Sequence, residues 1–160
     1  MILGNQIETT VSELGTTHVI WLPDTTLGQW EEALERSVSF DLLRVCREGE
    51  AWPLAAGLFL GGKSPLVMMQ STGLFESGDA LRNVLFDLKL PLFALIGYRS
   101  YLVEDSADTA KKFVEPILDA WGIGYELING CDDLPKLVDH YRACQVAGKP
   151  GVGLIAEGAM

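Results

Sequence analysis

RVCREGEAWPLAAGLFLGGKSPLVMMQSTG, positions 44–73, reads as the end of one apolar strand, a helix, and a complete second strand. The helix, over 50–62, tolerates Pro53 in its first turn and stops at a glycine pair. The second strand, SPLVMMQ over 64–70, is a continuous apolar run, which calls for burial on both faces. Glu48 and Glu50 stand at the junction of the first strand and the helix. A charge at the end of a buried strand is costly unless something compensates it. Either Glu48 caps the helix, a role that Glu50 fills at least as well, or its proton has a use.

The same alternation extends both ways from this stretch. Apolar runs predict strands over 17–23, 40–46, 91–98, 124–128 and 150–156, and helical spacing predicts helices over 25–37, 75–90, 107–122 and 132–148, the third kinked or restarted near Pro116. Residues before 17 form a polar start with no assigned element. Short links join the elements and no repeat or linker interrupts them. The pattern is that of an α/β domain over 1–160, a doubly wound, mostly parallel six-stranded sheet with helices on both faces. Ligands of such sheets bind beyond the carboxyl ends of the strands, which gathers residues 23–25, 46–48, 70–73 and 98–100 on one edge.

Composition narrows the classes of function. Apolar residues make up 48% of the 160 and charged ones 21%, so the chain is globular. A mean hydropathy of +0.20 implies a sheet buried on both faces or a surface covered by a partner. A net charge of −10, with only 12 dispersed Lys and Arg, disfavours nucleic acid or an anionic membrane as partner. Cys46, Cys131 and Cys144 follow no CxxC spacing and read as reduced core residues of a cytosolic protein. No leader pattern and no apolar run of ~18 residues occurs, so the expectation is a soluble, cytoplasmic chain. There is no GxxxxGK[ST] and no GxSxG, and GLFLGG closes a helix instead of opening one. His140 and Cys144 have helical spacing, but two ligands do not make a zinc site, and no metal-ligand set is assigned.

REGEAWPLAAGLFLGGKSPLVMMQSTGL resembles the pyrimidine-binding (PYR) domain of thiamine diphosphate enzymes, in which a strand-end Glu is followed nine residues later by a helix glycine, as Glu48 is by Gly57. Within that superfamily WLPDTTL (21–27), MMQSTGL (68–74) and IGYRS (96–100) are similar to motifs of the sulfopyruvate and phosphonopyruvate decarboxylases, and the likeness runs in order over about 16–156. The chain departs from that pattern at Ser71, where Asn is common. It departs again at Phe75, Glu76 and Asp79, where Gly and Asn residues are usual, and at Ser100, where Gly is.

The resemblance implies a role for each of several residues. Glu48 becomes the catalytic carboxyl that bonds N1′ of the cofactor's aminopyrimidine, and desolvation among strand ends helps it share a proton there. Gln70, Ser71, Thr72 and Gly73 become cofactor contacts. Asp24 becomes a catalytic or substrate-binding residue beside Thr25, and Arg99 meets the anionic tail of sulfopyruvate or phosphonopyruvate. From the residues alone, Asp24 is equally a helix cap, Gly73 a turn glycine and Arg99 an exposed loop arginine. Leu54, Leu58, Met68 and Met69 read as core. The family's diphosphate–Mg2+ motif, Gly-Asp-Gly with a distant Asn, has no counterpart, since GDA at 78–80 falls inside a predicted helix. The implied protein is the PYR (alpha) subunit of a two-subunit thiamine diphosphate-dependent 2-oxoacid decarboxylase. A separate PP (beta) subunit would hold diphosphate and Mg2+ in a hetero-oligomer. A non-catalytic module that keeps the fold is the alternative.

Overall fold

The computed structural model describes residues 2–25 and 27–158. Thr26, inside the helix expected over 25–37, lies outside them, as do Met1, Ala159 and Met160. Six strands form one wholly parallel sheet: β1 (His18–Trp21), β2 (Asp41–Arg44), β3 (Pro65–Gln70), β4 (Phe93–Tyr98), β5 (Gly124–Ile128) and β6 (Gly151–Ala156), in the order β2-β1-β3-β4-β6-β5. The chain runs from β1 outward to β2 and then returns past β1 to β3, so the order reverses between β1 and β3. A crevice opens at such a reversal beyond the strand ends.

Successive strand residues face opposite sides, and both sides are covered. On one face Ile20, Val67, Met69, Ala94 and Ile96 pack against α3 (Glu48–Leu60), α4 (Ser71–Glu76), α5 (Gly78–Arg82) and α6 (Val114–Trp121). On the other, Val19, Trp21, Met68, Leu95 and Ile155 pack against α1 (Gly4–Glu13), α2 (Glu31–Glu35) and α7 (Leu134–Ala147). This double burial accounts for the continuous apolar runs. The edge strands β2 and β5 are partly exposed along most of their length.

The helices depart from the sequence reading in their detail. The N-terminal helix α1 was not expected; Ile7 and Val11 give it one buried stripe, Leu3 N–H is satisfied by Gln6 Oε1 at 2.9 Å, and Trp30 Nε1 donates to Ile2 O at 2.9 Å. The expected helix 25–37 is a 3-10 turn, Leu27–Trp30, followed by the short α2. The helix expected over 75–90 begins earlier, at Ser71, and is broken into α4, α5 and a π-type turn, Asn83–Asp87. Over 107–122 the restart expected near Pro116 is present: a 3-10 turn, Ala110–Lys112, is followed by α6 starting at Val114, so the proline falls in the first turn, where a missing N–H is harmless. Two assignments to the core are corrected. Cys46 and Cys131 are exposed and only Cys144 is buried. Met68 and Met69 are fully buried, whereas Leu54 is 38% exposed on the outer side of α3. Among the described residues no helix is long and apolar enough to cross a membrane.

Candidate active site

The parallel register brings the ends of β1, β2, β3 and β4 to one edge, as the sequence implies. Glu48 is the first residue of α3, immediately beyond β2, and is half-buried. The capping reading assigns it to the orphan N–H groups of the first turn. In the structure one of those N–H groups, that of Gly49, is taken by another carboxylate, Glu76, while Glu50 reaches back to the residue before the cap. Arg47, at the cap position, contributes no side-chain cap. Glu50 Oε2 accepts from Cys46 N–H at 3.3 Å, and Glu76 Oε2, from α4, accepts from Gly49 N–H at 2.8 Å. Glu76 Oε1 also accepts from Arg47 Nη2 at 2.6 Å. These two bonds hold the Glu76 carboxyl below its ordinary range, the guanidinium being the larger cause. No hydrogen bond among the described residues engages the carboxylate of Glu48.

That carboxylate lies on Gly73 instead. A Cβ added there would fall 2.4 Å from Glu48 Cγ and 2.8 Å from its Oε1, so glycine is needed for close approach and not for a turn; Gly73 sits inside α4. Two residues earlier, Ser71 is fully buried and its Oγ has no hydrogen-bond partner. A native buried hydroxyl in that state is uncommon. Gln70 and Thr72 are half-buried on either side. Gly57, by contrast, is exposed, and a Cβ there would meet nothing within 4 Å.

The remaining residues of the edge are more committed. Asp24 Oδ1 accepts from Leu27 N–H at 2.7 Å and its carbonyl from Gly28 N–H at 3.1 Å, so it caps the 3-10 turn; Thr25 is exposed beside it. Arg99, beyond β4, forms an ion pair with Asp108 at 2.6 Å through Nε, with both side chains largely buried. Ser100 follows with a left-handed backbone, φ 58°, and Ser100 Oγ donates to Asp108 Oδ2 at 3.4 Å. Ser100 thus holds a backbone conformation that glycine adopts most readily.

One buried acid was overlooked in the sequence. Glu157, just beyond β6, is 3% exposed and lies over Gly97, where an added Cβ would come within 2.2 Å of Glu157 Oε1. It borders a cavity of about 180 Å³ walled by Leu27, Trp30, Leu102 and Ile155. The signal was present: GVGLIAE (151–157) is an apolar strand ending in glutamate, the same pattern that singled out Glu48. Among the described residues no group of three or more His, Cys, Asp or Glu is placed to hold a metal ion.

Comparison with known proteins places these features in context. No protein-family model matches the chain. It is 26% identical to sulfopyruvate decarboxylase of Methanosarcina acetivorans over 122 residues, which is 75% of this chain and 32% of that protein. To sulfopyruvate decarboxylase subunit alpha of Methanocaldococcus jannaschii it is 25% identical over 100 residues, 61% of this chain and 59% of that one. The matched chain therefore spans less than two thirds of either relative. In three dimensions it is similar to benzoylformate decarboxylase from Polynucleobacter necessarius, with a TM-score of 0.76 and 16% identity over 98% of this chain and 30% of that one. It is also similar to a 2-oxoglutarate:ferredoxin oxidoreductase from Magnetococcus marinus, with a TM-score of 0.71 and 12% identity over 98% and 29%. At such identities the structural likeness concerns the fold, and it bears out the expected fold class.

Proposed function

We infer that this chain, a relative of the sulfopyruvate decarboxylases with the PYR-type fold of thiamine diphosphate enzymes, is the pyrimidine-binding (alpha) subunit of a two-subunit thiamine diphosphate-dependent 2-oxoacid decarboxylase. The observation that carries the reading is the disposition of Glu48: its carboxylate is spared from capping and laid on a glycine beside a buried hydroxyl without a partner. That set fits a flat heteroaromatic ring with one basic nitrogen. A carboxyl can share a proton with that nitrogen, Gly73 admits the ring without a side chain in the way, and the Ser71 hydroxyl can donate or accept. Once bound, the cofactor supplies the electron sink that a 2-oxoacid needs to lose CO2.

Within this scheme Glu48 holds a proton at N1′ of the aminopyrimidine, and Gln70, Thr72 and Gly73 line the ring. Asp24 and Thr25, at the β1 end of the crevice, face the substrate. Arg99 meets the acidic tail of sulfopyruvate or phosphonopyruvate, and since Asp108 already pairs with it, the tail must share the guanidinium with that carboxylate. The products are an aldehyde and CO2. A PP-type (beta) partner supplies the Mg2+ ligands and the diphosphate site, and the assembly works in the cytoplasm.

Titration calorimetry with thiamine diphosphate and Mg2+ tests the scheme. Weak binding by the chain alone and tight binding once the PP-type partner is added are expected. Tight one-to-one binding by the chain alone would overturn the division of the site between two subunits. Binding by neither would overturn the function.

A further inference from the structure

The first turn of α3 and the body of α4 are locked together twice over. Glu48 of α3 lies on Gly73 of α4, and Glu76 of α4 reaches back to Gly49 of α3, where an added Cβ would stand 3.4 Å from Glu76 Oε2. Each helix thus lays a glutamate on the other's glycine. The Glu76 contacts fall on Arg47 and Gly49, the two residues that flank Glu48. Beside this clasp, Trp52 Nε1 donates to Ser77 Oγ at 2.9 Å, which fixes the end of α4 against the next turn of α3. Glu76 is one of the positions at which the chain departs from the family pattern, so its place here follows from the contacts alone.

We propose that Glu76 is a positioning residue for Glu48: by accepting the Gly49 N–H and pairing with Arg47 it fixes the two peptide units around Glu48 and so keeps the Glu48 carboxylate on Gly73. The catalytic consequence rests on the function proposed above; the clasp itself does not. The physical argument is one of degrees of freedom. The Glu48 carboxylate makes no hydrogen bond among the described residues, so its placement follows from the backbone on either side. A helix terminus frays unless its orphan N–H groups are satisfied. With Arg47 giving no side-chain cap, the charged acceptor that quiets this terminus comes from α4. A carboxylate accepting from both a guanidinium and a backbone N–H stays ionised at neutral pH, which keeps the clasp closed there.

The test compares Glu76→Ala with Glu76→Gln, in which the amide oxygen still accepts from Gly49. Two readouts need no cofactor: hydrogen exchange of the Gly49 amide, and the nuclear Overhauser contact between the Glu48 γ protons and the Gly73 α protons. In Glu76→Ala, Gly49 exchange should rise about ten-fold or more, as the loss of one charge-assisted bond implies, and the Overhauser contact should weaken. Glu76→Gln should restore most of both. In the enzyme reconstituted with its partner, Glu76→Ala should lower kcat roughly ten-fold with KM for the 2-oxoacid unchanged, and Glu76→Gln should recover most of it. If Gly49 exchange or the Overhauser contact is the same in Glu76→Ala as in the wild type, the positioning role is wrong whatever the enzyme does. If both change but kcat does not, Glu76 is only structural and the proposal is overturned. If the wild-type complex binds no thiamine diphosphate, the function fails instead, and the two cofactor-free readouts still report on the clasp.

Discussion

Glu48 and Gly73 constrain each other, and substitutions at either should reveal what the contact is for. Glu48→Gln keeps the shape but offers no carboxyl proton, so activity of the reconstituted enzyme should fall by about 10²-fold or more while thermal stability is retained. Glu50→Gln, at a side chain that accepts from the Cys46 N–H, should leave activity within about two-fold. Equal, small losses in the two variants would leave Glu48 with no part in the chemistry. Gly73→Ala is the complementary probe. Its methyl would occupy the volume of the Glu48 side chain, and displacing a reacting group by about 1 Å costs on the order of 10²-fold. A fully active Gly73→Ala enzyme would mean that Glu48 rests elsewhere when the site works. At this scale the sequence exposed Glu48 because an acid at the end of an apolar strand is physically conspicuous. It did not expose the division of labour among the three nearby glutamates. Which carboxylate reaches which N–H depends on how α4 sits against α3, a contact between residues 27 apart in the chain.

The inner strands β3, β4 and β6 were legible because each is a nearly unbroken apolar run, which burial on both sides of a parallel sheet demands; the edge strands β2 (DLLR) and β5 (GYELI) are partly exposed and carry charged residues among their apolar ones. The helices were less so. In α1 the apolar stripe is narrow and the segment holds two threonines and a valine, poor helix formers, so its stability comes from packing and not from propensity. Between β3 and β4 the helical period runs on through three segments: the first break falls at Ser77-Gly78, a turn dipeptide inside the run read as one helix, and the second, at Asn83, has no proline or turn dipeptide to announce it. The turn after β4 shows an element dictating a residue's conformation against its preference. Ser100 is buried, left-handed, and tied to Asp108, which also pairs with Arg99. Ser100→Gly should relieve strain of about 1 kcal/mol and lose a long hydrogen bond, for a net change within about 1 kcal/mol in urea unfolding. Ser100→Val, branched at Cβ, should cost about 2 kcal/mol. A stable Ser100→Val variant would show that the turn is not held left-handed. Arg99→Ala should lower kcat/KM roughly ten- to a hundred-fold for a sulfonate- or phosphonate-tailed 2-oxoacid and hardly affect pyruvate. The same loss on both substrates would make the Arg99–Asp108 pair a brace for this turn and point to a less charged substrate.

Across the whole molecule the charge balance sets a pH window for stability, and its edges can be assigned to particular groups. Two carboxylates titrate low: Glu76, held by Arg47 and the Gly49 N–H, and Asp133, held by Lys136 and the Asn129 N–H. A carboxyl whose folded-state value is depressed stabilises the fold fully above its ordinary value, 4.5 for Glu76 and 3.8 for Asp133, and loses that contribution as pH falls through the lower folded value. On the alkaline side burial raises Tyr98 and Tyr125, so their neutral forms favour the fold and that contribution is lost as pH rises above the ordinary phenol value of 10.0. The acid edge is complicated by a global effect. The formal charge of −10 at neutrality vanishes near the isoelectric point of about 4.5, which relieves self-repulsion over the range in which the Glu76 pair begins to fail. Comparing melting temperatures of the wild type and Glu76→Gln removes most of that common background, because the two differ by a single charge. The gap between them should be constant from neutrality down to about pH 4.5 and close below it, as the wild-type carboxylate takes up the proton that glutamine mimics. Because Arg47 and Glu76 remain open to solvent, the gap should also narrow in molar salt. A gap that persists unchanged well below pH 3 would show that Glu76 is not a depressed carboxylate, and the Arg47–Glu76 contact would then add nothing to the stability of the fold.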